Sequence, residues 1–402
     1  MKFGIIKERK NPPDRRVVFS PDELAKLKQQ YHEASVAVES SDIRIFADEA
    51  YKNMGITVTD DISDCDVLFG VKEVPVENLI PNKSYFFFSH TIKKQPHNRK
   101  LLKAILEKKI DLYDHETIVN EHDHRLIGFG KYAGMVGVYN GIRAFGLKFE
   151  LFKLPKAETL SGKEALIAQL KRITMPALKF VVTGTGKVGS GAKEILDAIK
   201  IKEITVDNYL TKKYTQAVYV QLDVLEYNRR KDGQVLDFKD FISHPGEYES
   251  DFEKFTKVSD IYFAGHFYAS DAPMILTRDM LNASDCKLKV VADISCDVNG
   301  PIACTVRSST IAEPLYGYFP LEDKEVDFFH PAAVAVMAVD NLPCEIPKDA
   351  SEGFGEQFME HVIPAFFNGD KDGILKRAKI TENGKLTERF SYLQDYVNNG
   401  EL

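Results

Sequence analysis

The chain has 402 residues, of which 44% are hydrophobic and 28% charged, and its formal net charge is −7. This length suggests two domains of a globular protein, the acidic balance argues against nucleic-acid binding, and no apolar run reaches the roughly 18–20 residues of a membrane span. The five cysteines lack C-x-x-C spacing, so we expect reduced thiols, no metal site and a cytoplasmic location.

The first 130 residues alternate between strand and helix patterns. Helices are predicted at 20–30 and 98–109, and strands at 2–6, 35–40, 66–72, 83–90 and 110–119. This alternation is typical of a parallel sheet covered by helices. A long helix is predicted next, at 130–146, where small residues at 133, 134, 137 and 141 share one face and permit close packing.

A second α/β pattern follows this helix. Strands are predicted at 180–182, 203–209, 260–268, 287–295 and 309–314, and helices at 187–199, 332–347 and 350–367. Residues 211–258 are polar and are predicted to be irregular, with an exposed loop at 228–233.

A glycine turn opens this second region. Gly184, Gly186 and Gly189 match G-x-G-x-x-G between an apolar strand and a helix, which is the context of a dinucleotide-binding fold. The glycines let the backbone approach a pyrophosphate, whose charge the helix N-terminus favours. The alternative is a tight turn that binds no ligand.

The cofactor predicted from this turn is NAD or NADP. Asp207 lies 23 residues after Gly184, at the predicted end of the next strand, where its carboxylate can accept hydrogen bonds from the adenosine ribose and favours NAD. Lys212 and Lys213 follow closely and can accept a 2′-phosphate, so NADP stays open.

Ionisable side chains follow several predicted N-terminal strands. In chain order they are Lys7, Lys10, Arg15, Arg16, Lys72, Glu73, His90, Lys93, Glu116 and Arg125. Ligands of open α/β sheets bind beyond the carboxyl ends of the strands, where a lysine and a histidine can serve as general base and acid. With a nicotinamide, this set suits redox chemistry at a carbon–nitrogen bond. The alternatives are a structural histidine and solvated lysines.

Several segments resemble a known enzyme family. The start, KERKNPPDRRVVFSP, resembles the N-terminal segment of the alanine dehydrogenase and transhydrogenase superfamily. The segments YFFFSHTIKKQ, LIGFGKYAG, FVVTGTGKVGSGA, VADISCD, AVDNLPCEIPKDASEGFG and AKITENGKLTERFSYLQDYV are similar to the lysine–ketoglutarate reductases of animals and plants. They resemble the fungal lysine-forming saccharopine dehydrogenases more loosely.

The resemblance implies roles for individual residues. Lys72 and His90 match the acid–base pair, and Glu73 and Glu116 match carboxylates that temper the charge around it. The implied substrate-binding residues are Arg16, Gln95, Arg125, Phe129, Ser295 and Asp297. The implied cofactor-binding residues are Gly184, Gly186, Lys187, Gly189, Asp207, Tyr268, Ile294, Val339, Asp340, Asn341 and Leu342.

The resemblance also implies an architecture and a reaction. We expect an α/β fold of two Rossmann-like, doubly wound parallel-sheet domains with an active-site cleft between them. Residues 1–134 with 335–402 form the expected substrate domain, and 135–334 the dinucleotide domain. The expected enzyme is an oxidoreductase acting on CH–NH groups, which converts L-lysine and 2-oxoglutarate to saccharopine or the reverse. The alternatives are an alanine dehydrogenase-like enzyme and a non-catalytic binding protein.

Overall fold

The chain forms two compact units in the computed structural model, which describes residues 1–266, 268 and 271–398. One unit comprises Met1–Phe129 with Pro347–Leu402, and the other comprises Gly130–Ile346. The predicted boundaries lie at 134/135 and 334/335. The second boundary differs because the strand Val334–Met337 pairs inside the sheet of the second unit.

The N-terminal part of the first unit forms a sheet of six parallel strands. The strands are β1 (Lys2–Ile5), β2 (Ser35–Glu39), β3 (Thr57–Thr59), β4 (Val67–Lys72), β5 (Ser84–Phe88) and β6 (Asp111–Asp114). The helices are α1 (Pro21–Gln30), α2 (Asp48–Asn53) and α3 (Arg99–Glu107). The strand order is β3-β2-β1-β4-β5-β6. The predicted parallel sheet is therefore confirmed.

Local sequence explains these elements. Ser20 accepts a hydrogen bond from the Glu23 backbone while the Glu23 side chain bonds back to Ser20, so a capping box begins α1. β4 and β5 are almost wholly buried, which explains their continuous apolar runs. The ring centroids of Phe69 and Phe86 lie 4.9 Å apart in the core. Burial of such a ring contributes about 1.5–3 kcal/mol to the free energy of unfolding.

The second unit contains a larger, mixed sheet. Its helices are α4 (Gly130–Lys148), α5 (Lys163–Leu170), α6 (Lys187–Ala198), α7 (Val206–Thr211), α8 (Phe238–Ser243), α9 (Glu253–Thr256) and α10 (Arg278–Asn282). Its strands are β7 (Lys179–Thr183), β8 (Lys202–Glu203), β9 (Val218–Leu222), β10 (Asn228–Arg230), β11 (Tyr248–Ser250), β12 (Ile261–Ala264), β13 (Val290–Asp293), β14 (Leu315–Phe319), β15 (Lys324–Val326) and β16 (Val334–Met337).

The eight-stranded sheet has the order β15-β14-β16-β13-β12-β7-β9-β8. Six strands are parallel, whereas β14 runs antiparallel to both β15 and β16. The predicted Rossmann-like α/β class is confirmed, although this sheet is mixed at one edge. β10 and β11 form a separate antiparallel pair.

Several predicted segments differ from the structure. Residues 309–314 are not a strand, because only Ser309 forms an isolated bridge, to Val339, and β14 begins at Leu315. Residues 228–230 of the predicted loop form β10. Residues 203–209 are not a strand, because β8 ends at Glu203 and α7 begins at Val206. Residues 211–258 are not wholly irregular, since they contain β9, which pairs with β7. Residues 332–347 contain the buried strand β16 instead of a helix, because a short apolar run does not distinguish a buried strand from a helix.

The close packing predicted for the glycine-rich helix is confirmed. A methyl group on Gly134 of α4 would lie 2.0 Å from the carbonyl oxygen of Val188 on α6. In the reverse direction, a methyl group on Gly191 would lie 1.8 Å from the carbonyl oxygen of Lys131. The two helix backbones therefore touch, and α6 is fixed behind the glycine turn.

The C-terminal part completes the first unit. It contains α11 (Pro347–Gln357), α12 (Ile363–Phe367), α13 (Ile374–Ala378), α14 (Gln394–Asn398), β17 (Thr381–Glu382) and β18 (Lys385–Leu386). The helix predicted at 350–367 is confirmed, with a π-helical turn at Phe358–Val362 between α11 and α12. Within the described ranges, none of the helices has the length and apolar character needed to cross a membrane.

Candidate active site

The two predicted catalytic residues lie at the ends of neighbouring strands of the first unit. Lys72 is the last residue of β4, and its backbone is paired with Phe88, the last residue of β5. His90 comes two residues after Phe88. Both side chains therefore belong to the carboxyl edge of one parallel sheet, where open α/β sheets bind ligands.

Side chains from two other segments hold the backbone at the end of β4. The Glu8 carboxylate accepts hydrogen bonds from the backbone N–H groups of Val71, at 2.7 Å, and Lys72, at 2.9 Å. His115 Nε2 donates to the carbonyl oxygen of Gly70 at 2.8 Å. Burial raises the pKa of Glu8 to about 7. These contacts stabilise the register shift of β4 against β5 and fix the direction in which Lys72 leaves the strand.

His90 is held in a left-handed backbone conformation, with φ of 54°. The buried Asp114 carboxylate accepts hydrogen bonds from the backbone N–H groups of Ser89 at 2.9 Å, His90 at 3.0 Å and Glu116 at 2.7 Å. Left-handed geometry at a non-glycine residue costs of order 1 kcal/mol and persists only where other contacts impose it. Asp114, which sequence reasoning missed, supplies those contacts.

Glu116 collects three nitrogen groups around one carboxylate. His90 Nδ1 lies 3.3 Å away, Lys93 Nζ 3.2 Å and Arg125 Nη1 3.8 Å. Burial alone would raise the pKa of Glu116, but the hydrogen bond with His90 and the charges of Lys93 and Arg125 lower it to about 2. Because ionised Glu116 only accepts, Nδ1–H of His90 donates to it, and Nε2 is left for proton transfer.

Carboxylates surround the other member of the pair. Burial would raise the pKa of Asp14, but the Arg16 guanidinium and, to a smaller extent, the Lys72 ammonium lower it. Burial also opposes ionisation of Glu73. The Lys10 ammonium, whose Nζ lies 2.6 Å from a Glu73 carboxylate oxygen, has the larger effect, so the pKa of Glu73 is lowered. Lys72 therefore lies near carboxylates as well as near the cations expected from the sequence.

The remaining predicted substrate residues of this unit differ in accessibility. Arg16 is buried, donates Nε and Nη2 to Asp14 at 3.0 and 2.6 Å, and lies 4.3 Å over the Phe129 ring. Phe129 is buried against Phe354, at 4.2 Å. Gln95 is exposed. Arg125 and Lys93 are exposed at 41% and 48% of their side chains, so they offer the more accessible cations.

The glycine turn of the second unit has the geometry of a phosphate-binding loop. Gly184 has φ of +95°, a conformation that suits glycine, and a methyl group on Gly189 would lie 1.9 Å from the Gly184 carbonyl oxygen. A methyl group on Gly186 would meet nothing within 4 Å, so space is open beside the N-terminus of α6, where Lys187 begins the helix. The turn therefore fits a dinucleotide.

A cavity of about 340 Å³ adjoins this turn. Its lining includes Gly186, Lys187, Asp223, Phe238, Ile242 and His266. Asp223 directly follows β9, the strand that pairs with β7. A carboxylate at that place can reach the adenosine ribose of a dinucleotide.

The structure differs from the predicted position of Asp207 at the end of a strand. Asp207 lies in the first turn of α7 and is not among the residues that line this cavity. The reason is the strand order, because the next strand in the sequence, β8, lies at the sheet edge, and β9 separates it from β7. Asp223 was missed by sequence reasoning. The apolar run 217–222, which ends at this aspartate, is the signal that identifies it.

Further predicted residues follow β12, β13 and β16 at the same carboxyl edge. Ser295 donates its hydroxyl to Asp293 at 2.6 Å, and Tyr268 donates to the carbonyl oxygen of Ala272 at 3.1 Å. The exposed residues are Asp297 and Asp340, Asn341 is partly exposed, and the side chains of Ile294, Val339 and Leu342 are buried. The buried three can therefore offer only backbone groups to a ligand.

The chain is similar to known dehydrogenases. A family profile described as Alanine dehydrogenase/PNT, N-terminal domain, matches residues 4–136. Alpha-aminoadipic semialdehyde synthase of Arabidopsis thaliana is 29% identical, over 97% of this chain and 41% of that protein. Saccharopine dehydrogenase (NAD(+), L-lysine-forming) of Yarrowia lipolytica is 22% identical, over 88% of this chain and 89% of that protein.

A solved L-alanine dehydrogenase has the same fold, with a TM-score of 0.67 and 17% identity over 99% of both chains. The chain spans less than half the length of the semialdehyde synthases that it matches. Together these matches confirm the family resemblance drawn from the motifs. The match to a saccharopine dehydrogenase agrees with the predicted class of oxidoreductase, which acts on CH–NH groups.

Proposed function

We propose that this chain, which fits the saccharopine dehydrogenase and lysine–ketoglutarate reductase family within the alanine dehydrogenase and transhydrogenase superfamily, couples L-lysine to 2-oxoglutarate. The reaction is L-lysine + 2-oxoglutarate + NADH + H⁺ ⇌ saccharopine + NAD⁺ + H₂O. One observation carries the proposal. Lys72 ends β4 and His90 follows the adjacent parallel strand β5, beside a cluster of cations around Glu116.

The acid–base pair moves the protons of the condensation. The amine of lysine attacks the keto carbon of 2-oxoglutarate to give a carbinolamine, and loss of water gives an imine. One proton must leave the amine and another must reach the departing hydroxyl. His90 exchanges a proton at Nε2 while Glu116 holds Nδ1, and Lys72 takes the other transfer. When bound, the nicotinamide supplies the hydride that reduces the imine carbon.

The accessible cations bind the substrate carboxylates. Saccharopine carries three carboxylates, and a guanidinium can bind one through two parallel hydrogen bonds. Arg125 is the preferred candidate, because it contacts Glu116 only at 3.8 Å and is 41% exposed. Lys93 contacts the same Glu116 carboxylate and supplies a second positive charge beside Arg125. Arg16 supports the site from behind the Phe129 ring, since its Nε and Nη2 groups already donate hydrogen bonds to Asp14.

We assign NAD as the cofactor on the position of Asp223. Its carboxylate follows the strand next to the glycine turn, where it can accept from both ribose hydroxyls and repel a 2′-phosphate. Glu226 lies in the same turn and accepts a hydrogen bond from the Asp223 N–H at 2.6 Å, which adds a second negative charge. Lys187 and the glycine turn hold the pyrophosphate.

The activity is tested by following NADH oxidation with lysine and 2-oxoglutarate. Lysine-dependent turnover is expected, and it should be much faster than turnover with pyruvate and ammonia. Faster reduction of pyruvate with ammonia would favour the alanine dehydrogenase-like alternative. The absence of turnover with either pair, in a chain that binds NADH, would favour a non-catalytic binding protein.

The cofactor assignment has a matched pair of variants. Asp223→Ser should reduce the preference for NADH over NADPH, measured as the ratio of kcat/KM values, by about tenfold or more, since one charge contact is worth about 1.4 kcal/mol or more. Asp207→Ser should leave the ratio unchanged. A shift confined to Asp207→Ser, or a wild type that uses NADPH tenfold better, would contradict the assignment.

A further inference from the structure

A second cavity, of about 720 Å³, lies in the first unit. Its lining comes from β6, α13 and the segments on either side of α13, and the lining residues that the structure describes include neither the acid–base pair nor the cations around Glu116. The cavity reaches the sheet, because Tyr113 of β6 lines it although this residue is only 6% exposed and its ring stacks on Phe86. It therefore has the depth and the volume, typically about 300–1,000 Å³, of a small-molecule site.

The charges of this cavity favour an anion. Three of the lining side chains are acidic and four are basic, namely Lys376, Arg377, Lys379 and Arg389. Two of the carboxylates are already committed. Asp370 accepts hydrogen bonds from two backbone N–H groups of α13, at 2.9 and 3.0 Å, and Glu382 accepts from Lys379 at 2.6 Å. The third carboxylate, that of Glu388, is exposed to water.

Two adjacent cations of α13 have charge to offer a ligand. The ion pairs within the described part of the chain involve Lys379 and Arg389 but neither Lys376 nor Arg377. Arg377 donates Nε to a neutral acceptor, the carbonyl oxygen of Val119, at 3.2 Å. Two positive charges in one cavity match an anion with two or more carboxylate or phosphate groups.

Arg377 also connects the cavity to the proposed substrate cation Arg125. Residues 118–126 form a hairpin, in which the backbone of Val119 pairs with that of Arg125. Arg377 therefore bonds the strand opposite Arg125. Arg389, which also lines the cavity, forms an ion pair with Asp123 of the same hairpin. A ligand bound by these arginines acts on the hairpin that carries Arg125.

We infer that this cavity binds a small organic anion with two or more acidic groups, held by Lys376 and Arg377, and that its occupancy tightens the binding of 2-oxoglutarate. Since Nε of Arg377 donates to Val119, the terminal nitrogen atoms of the guanidinium are left for the anion. Ligand and hairpin then share one guanidinium, so a bound anion stabilises the contact that holds the hairpin. The binding site stands on the cavity itself, whereas its effect on 2-oxoglutarate rests on the proposed function.

Calorimetry on the full chain tests the site, with citrate and inorganic pyrophosphate as separate probes and with NADH added to occupy the glycine turn. One probe is expected to bind, and its identity distinguishes a carboxylate ligand from a phosphate ligand. Lys376→Gln removes one charge and should weaken the binding of that probe about fivefold. Lys371→Gln, which replaces an exposed lysine of the same segment outside the lining, should have no effect. Binding of neither probe, or equal affinities in the wild type and folded Lys376→Gln, would overturn the site.

The KM for 2-oxoglutarate tests the connection to the hairpin. The bound probe at saturation should lower this KM about twofold and leave the KM for NADH unchanged, and by linkage 2-oxoglutarate should tighten the binding of the probe. Arg377→Lys keeps the charge but loses the Nε donor, so it should still bind the probe and should lose the effect on KM. An increased KM would indicate competition at the active site, and either that result or an unchanged KM would overturn the connection.

The outcomes separate this inference from the proposed reaction. Probe binding that depends on Lys376, in a chain with no lysine-dependent turnover, would support the site and reject the reaction. Lysine-dependent NADH oxidation by a chain that binds neither probe would support the reaction and overturn the site. A folded chain with neither property would overturn both.

Discussion

Glu8→Gln tests whether the backbone contacts at the end of β4 position Lys72 for catalysis. The two carboxylate oxygens of Glu8 accept from the N–H groups of Val71 and Lys72, at 2.7 and 2.9 Å. Glutamine has one acceptor oxygen, and its amide nitrogen would face one of these N–H donors. One backbone N–H loses its acceptor, so the free energy of unfolding should fall by about 1–3 kcal/mol when measured near pH 5, where burial keeps the Glu8 carboxyl protonated.

Catalysis should suffer as well, because the released N–H belongs to Lys72 or to its neighbour. We expect kcat with lysine and 2-oxoglutarate to fall by about tenfold or more, which corresponds to a rise of about 1.4 kcal/mol in the activation free energy. The KM for NADH should stay unchanged, since the glycine turn belongs to the other unit. Steady-state kinetics and urea unfolding are measured on the same preparation.

Glu39→Gln is the matched control for this variant. Glu39 is also a buried glutamate of the first unit whose carboxylate accepts from a backbone N–H, that of Lys7, at 2.9 Å. Its replacement should lower stability while kcat stays near the wild-type value. A Glu8→Gln enzyme with lowered stability and a kcat within twofold of wild type would refute the reasoning and make Glu8 purely structural.

Three further predictions concern activity and stability. Lys72→Met and His90→Asn should each lower kcat about 10²-fold without unfolding the chain, and near-normal turnover in either variant would remove that residue from the acid–base pair. Arg125→Ala should weaken 2-oxoglutarate binding by about 1.5–3 kcal/mol in calorimetry while NADH binding stays unchanged; a lower melting temperature alone would make Arg125 a partner of Glu116 only. Burial raises the pKa of Glu345 from 4.5 to about 7, so its carboxyl destabilises the fold progressively as pH rises from 4.5 to 7, by about 3 kcal/mol in total. Glu345→Gln, which can still accept from Asn140, should match the wild type near pH 5 and exceed its stability at pH 8 in urea unfolding, whereas equal pH slopes would contradict this.

The sequence by itself determined the features that depend on near neighbours. The capping box of α1 needs only Ser20 and Glu23, and the glycine turn needs residues 184–189 between an apolar strand and a helix. The aromatic run 85–88 forms the buried strand β5, which ends just before His90. Burial of a segment leaves its mark in the order of apolar residues, so these elements could be predicted.

The tertiary structure alone decided which segments meet. β8 consists of two exposed charged residues, Lys202 and Glu203, and lies at the sheet edge, whereas the buried residues of β9 suit the interior place beside β7. Asp223 therefore takes the place that the sequence order gave to Asp207. The contacts of Glu8 with Lys72 and of Thr183 with His266 join residues 64 and 83 positions apart. Hydrophobic periodicity reports whether a segment is buried, but the packing of the whole core chooses its neighbours.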